Sequence, residues 1–310
     1  MRRWPIGLGF WLLVVAAVEV VCLVAVCRFF VQSQHGQQLD TVALAGNWIG
    51  RARIEELVDT VLNTVSVVSL VVATIAIGFI ALIRRRIAVA FGAMLLIVGA
   101  NVTTQVLKLL LVRPQLGVDA ERAAAGNSLP SGHATVAAAV AVALLLVLPA
   151  RLRGVVGVAG AVAAAFVGVA TLSAGWHRPS DVVAALLVVG VWASVAGLFI
   201  LVAQRRHGDA GYGPPSRVAV VMLALAGLGL LAGAAIALEL TDHVLTTPVD
   251  ELSRRRLLAA YGGGALGIAG VASLVVASVL ATAHRVAPQT LAPASVPPAV
   301  RAAGKGVPGP

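Results

Sequence analysis

The chain has 310 residues, of which 59% are hydrophobic and 12% charged, with a formal net charge of +10. Its mean hydropathy is +0.97, whereas a soluble globular domain carries about twice that charged fraction, so a water-soluble enzyme is excluded. The arginines fall in short clusters between apolar runs, which is an orientation signal for a membrane protein and not a nucleic-acid-binding face.

Apolar runs, each near the length that crosses ~30 Å of hydrocarbon as a helix, recur roughly at 6–27, 60–83, 87–110, 134–150, 154–176, 182–203, 218–240 and 258–283. They do not alternate apolar and polar residues as the strands of a membrane barrel do. The expected fold is all-α, a polytopic membrane helix bundle of eight spans. "MRRWP" opens the first span, read as an uncleaved anchor. Within that span Cys22 and Cys27 stand on opposite faces of one helix, so neither a bridge nor a metal site is expected. Glu19 sits mid-span, where a carboxylate is costly, and is expected to be a buried partner for a polar group on a neighbouring helix.

The stretch 28–59, with "QSQHGQQLD", reads as a polar outer loop. His35, and later His243, lack partners at any ligand spacing. The clusters "RRR" at 84–86, "RLR" at 151–153 and "RR" at 205–206 mark the inner side and place the N-terminus inside, although "ELSRRRLL" at 251–258 points the other way. Trp4, Trp11, Trp48, Trp176 and Trp192 are expected as interface anchors, and Glu239 and Asp242 as interfacial acids. From about 285 the chain is Pro/Ala/Gly-rich and expected to be disordered.

Three polar segments return to one predicted membrane face. "KLLLVRP" closes the third span with Lys108 and Arg113. "PSGH" opens the fourth with Ser131, Gly132 and His133. "GWHRPSD" bridges the fifth and sixth with His177 and Asp181. Together they supply what transfer of a phosphoryl group requires. Lys108 and Arg113 bring positive charge, and Arg grips phosphate oxygens through paired hydrogen bonds. Ser131 and Gly132 stand at a helix N-terminus, where free N–H groups and the dipole favour an anion. His133 is placed to protonate a leaving group. His177 is placed to attack phosphorus, with Asp181 holding its far ring nitrogen. The scheme calls for no metal or cofactor.

This pattern resembles the type 2 phosphatidic acid phosphatase (PAP2) family of membrane phosphatases, whose motifs are K-x6-R-P, P-S-G-H and S-R-x5-H-x3-D. The resemblance covers about 101–190. It implies a six-helix core, residues 1–205, to which 206–284 adds a two-helix hairpin, with 285–310 a tail. It also implies a lipid phosphatase working through a phosphohistidine. Substrates of that class are phosphatidic acid, phosphatidylglycerol phosphate and polyprenyl phosphates or diphosphates. The site would open on the outer face of the cell membrane.

The chain departs from the pattern twice. Lys108 and Arg113 are five residues apart, not seven, which on a helix separates them by about 140°. Pro114 is expected to draw Arg113 out of the helix so that it still reaches the site. The family's S-R pair falls on Ala170 and Thr171, so that arginine is absent. Arg178 is the candidate replacement, with Arg122 behind it. A phosphotransferase, or a non-catalytic lipid-binding or transport protein on the same scaffold, remains the alternative.

Overall fold

A computed structural model gives the fold and describes residues 6–49, 51–64, 67–84, 86–118, 127–204 and 216–287. Arg122 and the Pro-rich stretch from 288 onward lie outside the described residues. Among the described residues every regular element is helical. The α-helices are α1 (Ile6–Val26), α2 (Gln34–Ala45), α3 (Arg51–Thr64), α4 (Val67–Ile83), α5 (Ile87–Leu110), α6 (Gly132–Val147), α7 (Ala150–Ser173), α8 (Pro179–Ala203), α9 (Arg217–Asp242) and α10 (Arg254–Val286). A π-helical turn, Cys27–Val31, continues α1, and a 3₁₀ turn, Gly46–Trp48, follows α2.

Among the described residues six segments are long and apolar enough to cross a membrane: Gly7–Val31, Ile87–Leu110, Ala150–Ser173, Pro179–Ala203, Arg217–Asp242 and Arg254–Val286. Two shorter apolar helices, Leu70–Ile83 and Gly132–Val147, stand where the remaining two spans are expected. The protein is therefore a multi-pass helical membrane protein. Large side chains such as Ile75, Phe79, Phe91, Val155 and Leu225 remain exposed, a surface that hydrocarbon tolerates and water does not.

The expected outer loop 28–59 is mostly helix. Ser33 caps α2 by accepting a hydrogen bond from the Gly36 N–H at 3.0 Å, and Gly36 packs so close to the Phe29 carbonyl that no Cβ fits between them. The polar sequence misleads because its polar groups are spent inside the protein. Gln37 Nε2, for example, donates to the carbonyls of Val31 at 2.7 Å and Pro114 at 3.0 Å. The expected second span, 60–83, is divided between the end of α3 and α4.

Helix α8 is the centre of the bundle, packing against α1, α5, α6 and α10. Its Val182, Ala185, Leu186, Val189, Ala196 and Ile200 are buried. Small residues allow these approaches, as they do wherever apolar solvent leaves close packing as a main attraction between helices. Gly99 on α5 lies flat against the Trp192 indole, whose Nε1 donates to Thr103 Oγ1 at 2.9 Å. Trp192 is thus a helix-packing residue and not the interface anchor its type suggests. Glu19 is buried against Gly190 of α8, with Ser194 as its hydrogen-bond partner, as its mid-span position predicts.

Helices α9 and α10 form a hairpin docked on α7 and α8. Arg153 fastens it: its guanidinium, 2% exposed, donates to the carbonyls of Ala283 at 2.9 Å and Ala287 at 2.6 Å. Ala287 ends the helix and its carbonyl lacks an intrahelical donor, whereas the Ala283 carbonyl already accepts the Ala287 N–H at 2.9 Å and takes Arg153 as a second donor. One arginine of the "RLR" cluster is therefore a helix cap. At the other end of the hairpin His35 is partnered after all, with Nε2 2.9 Å from Asp242 Oδ1, and His243 lies 3.5 Å from Glu239.

Candidate active site

Helix α5 ends at Leu110, and Leu111 is already extended (φ −82°, ψ 121°). The cause is Pro114, which disfavours helical geometry in the residue before it. Arg113 therefore leaves the helix and turns inward. Its Nη2 lies 3.7 Å from Asp181 Oδ1 and 3.8 Å from Asp40 Oδ2, and the side chain is almost fully buried. The five-residue spacing from Lys108 does not keep Arg113 from the other polar segments. Lys108 is half-buried, with Nζ 3.8 Å from the point where a Cβ on Gly132 would stand.

Ser131 is the N-cap of α6 and its Oγ accepts from the Ala134 N–H at 3.4 Å. The first turn of a helix presents N–H groups with no intrahelical partner and the positive end of the dipole. Gly132 leaves that end open to an anion. The Ser131 N–H donates to the Asp181 carbonyl at 2.9 Å, which ties the start of α6 to the first turn of α8. Below, Thr135 and Thr104 share a buried hydrogen bond of 2.9 Å, so α5 and α6 are joined one turn beneath the site.

Helix α7 ends in a paired turn: Gly175 N–H donates to the Leu172 carbonyl at 3.0 Å and Trp176 N–H to the Thr171 carbonyl at 3.0 Å. Gly175 adopts φ 75°, the left-handed conformation such a helix ending requires. The Thr171 carbonyl also accepts the His177 N–H at 3.3 Å, so the helix terminus aims the imidazole. Thr171, where the family pattern has arginine, is fully buried, with its Oγ1 bonded back to the Gly168 carbonyl at 2.7 Å. No cation occupies that point.

Pro179 begins α8, a position that suits its fixed φ and missing N–H. Asp181, fully buried, is the focus of the cluster. Its Oδ2 accepts from Ser128 Oγ at 2.6 Å and from the Arg178 N–H at 3.0 Å, and lies 3.4 Å from His177 Nδ1. The last separation exceeds the 2.7–3.2 Å of a formed N–H···O bond, so the pair stands in ion-pair range without a formed hydrogen bond. With Nδ1 directed at Asp181, Nε2 is the nitrogen left for chemistry.

His133 is half-buried, stacked obliquely near Trp176 with ring centroids 5.4 Å apart. Lys108 and His177 both lie close enough for their charges to act on it. The three polar segments, two hairpins apart in sequence, thus converge at one end of the bundle. Lys108, Gly132, His133 and the exposed Trp176 are the accessible members. Arg113, His177, Arg178 and Asp181 lie deeper.

Sequence reasoning missed three contributors. Ser128 reads as an ordinary loop serine. Gln37 and Asp40 stand in what looked like a solvated loop, although Ser33 before a run of helix formers is a legible helix start. Asp40 is 2% exposed, and accepts hydrogen bonds from both the N–H and the hydroxyl of Ser180. Burial and the nearby charge of Asp181 push its carboxyl up to about 7, against the pull of Ser180, Arg113 and Arg178.

Two imidazoles, two buried carboxylates and several cations thus gather at one end of a bundle of membrane-crossing helices, around a helix N-terminus. Residues 87–206, from the start of α5 to just past α8, match the family model described as the PAP2 superfamily. That segment is similar to the PAP2 superfamily and, with the membrane-crossing helices around it, supports a membrane phosphatase-type protein. No curated protein and no solved structure matches it.

Proposed function

We propose that this protein hydrolyses a phosphorylated membrane lipid through a phosphohistidine intermediate. Lys108, Arg113, Arg178, the Ser131 hydroxyl and the Gly132 N–H receive the phosphate oxygens. His177 Nε2 attacks phosphorus while Asp181 stabilises the imidazolium forming at Nδ1. The bond from phosphorus to the lipid oxygen breaks, and His133 donates a proton to that oxygen. Water, losing a proton to His133, then attacks the phosphohistidine, and inorganic phosphate leaves. Hydrogen-bond donors and cations fixed in advance around the developing charge are the largest contribution such a site makes.

One observation carries this reading: His133 and the His177–Asp181 pair, from separate hairpins, meet beside Lys108 and Arg113. Arg178 takes the part of the arginine missing at Thr171, being buried at the same end and within electrostatic range of Asp40. Residues 1–205 form the catalytic unit and 206–284 an added hairpin. The site faces the outside of the cell membrane, with the N-terminus inside. Candidate substrates are phosphatidic acid, phosphatidylglycerol phosphate and polyprenyl phosphates or diphosphates.

The test is phosphate release by detergent-solubilised protein from a panel of these lipids, with His177→Ala in parallel. Release by the parent protein and its abolition in the variant support the proposal, while equal rates remove it. Transfer of phosphate to an added alcohol in place of water would make the protein a phosphotransferase. Arg178→Ala should raise KM severely, and near-normal kinetics would remove Arg178 from the phosphate clamp.

A further inference from the structure

Asp40 lies outside the segment that matches the PAP2 superfamily, yet its carboxylate reaches the centre of the cluster. Oδ1 accepts the Ser180 N–H at 3.3 Å, Oδ2 accepts the Ser180 hydroxyl, and Arg113 Nη2 stands 3.8 Å from Oδ2. One turn earlier on the same helix, Gln37 holds the Pro114 carbonyl at 3.0 Å. A single turn of α2 therefore grips both the loop that carries Arg113 and the first turn of α8 that carries Asp181.

We propose that Asp40 is a positioning residue of this site, fixing where Arg113 stands and how the first turn of α8 presents His177 and Asp181, without touching substrate. The inference rests on the lipid phosphatase reading above. Arg113 lies between two carboxylates at nearly equal distance, 3.8 Å from Asp40 and 3.7 Å from Asp181. The protonation of Asp40 therefore decides how much of the guanidinium's field is left for an incoming phosphate.

The charged groups around Asp40 are Asp181 on α8, Arg113 on the loop after α5, and Arg178 just before α8. On its other side Asp40 borders a cavity of about 270 Å³ with mostly apolar walls, between α2, α8, α9 and α10. That cavity withholds the solvation an ionised carboxylate wants. With the carboxyl pushed up to about 7, Asp40 is neutral below that pH and draws less on the charge that Arg113 directs at Asp181 and substrate. Above it, ionised Asp40 binds Arg113 and adds a negative charge near the phosphate. Substrate binding should then weaken, and KM rise, as pH rises through about 7.

The experiment measures phosphate release from dioctanoyl phosphatidic acid by the purified full-length chain and by Asp40→Asn and Asp40→Ala, across the neutral range. Asp40→Asn keeps an acceptor for the Ser180 N–H and cannot ionise. It should lose the alkaline rise in KM that the parent protein shows. Asp40→Ala also lets go of Ser180, and kcat should fall roughly tenfold to a hundredfold, the cost of small misplacements in a site. Less folded protein with a parental KM and pH profile would make Asp40 merely structural and overturn the proposal. Should Asp40→Ala fail to fold, the Asp40→Asn profile decides alone. A parent protein inert on every lipid phosphate removes the functional reading itself. An active parent with an unchanged Asp40→Asn profile removes only this inference.

Discussion

Replacing Asp181 by Asn separates the electrostatic work of that residue from its structural work. The Asn carbonyl can take the place of Oδ2, which accepts from Ser128 Oγ at 2.6 Å and the Arg178 N–H at 3.0 Å. The amide nitrogen then faces Arg113, whose Nη2 stands 3.7 Å from Oδ1. The opposite rotamer would set two N–H groups against those donors and is excluded. The fold should survive, with a cost of about 1–3 kcal/mol for turning a donor towards the guanidinium. What disappears is the charge that, in the proposed mechanism, steadies the imidazolium. At the 3.4 Å separation of His177 Nδ1 and Asp181 Oδ2 and an effective dielectric near 20, that attraction is about 5 kcal/mol. Each 1.4 kcal/mol or so is tenfold in rate, so kcat should drop roughly a thousandfold to ten-thousandfold. Steady-state phosphate release from a lipid phosphate at saturation, beside a circular-dichroism melt, measures both effects. A variant within about tenfold of the parent kcat would refute the role given to Asp181.

Other substitutions probe how the fold holds the site. Gly175→Ala forces a Cβ into φ 75°; it should cost about 1–2 kcal/mol and, by shifting the turn before His177, lower kcat as well as the melting temperature. A methyl added in Gly99→Ala overlaps the Trp192 indole and should destabilise by about 1–3 kcal/mol. Gly229→Ala on α9 meets nothing within 4 Å and should be neutral or mildly stabilising in the same melts. Asp40→Asn should become more stabilising as pH rises. The native carboxyl stays protonated up to about 7, whereas its unfolded value is 3.8, so the parent loses stability from about pH 4 up to about 7 and no further. A difference in melting temperature independent of pH would contradict this.

Much of the bundle is legible because hydrocarbon imposes a simple rule: apolar runs of span length become helices that satisfy their own backbone. Each of the eight apolar helices stands where such a run falls. The residues of the three motifs were also legible, since Ser131, His133, His177 and Asp181 sit in short polar interruptions of that pattern. Residues whose polarity is cancelled within the fold escaped. Asp40 and Gln37 look solvated in sequence, but their partners are Ser180 and the Pro114 carbonyl, each far along the chain. Arg153 reads as a positive-inside signal yet spends its donors on the end of α10. Trp192 reads as an anchor, but Gly99 opposite makes it a packing surface. Such pairings are tertiary facts, and composition or spacing in one stretch carries no trace of them.

The most direct measurement is rapid quenching of turnover with a ³²P-labelled lipid phosphate, followed by peptide mapping of the labelled protein. Transient, acid-labile label on His177, absent in His177→Ala and released as inorganic phosphate, is the predicted result. Steady hydrolysis with label on another side chain, or with none during turnover, would contradict the convergence of His133 and His177 on one phosphoryl group.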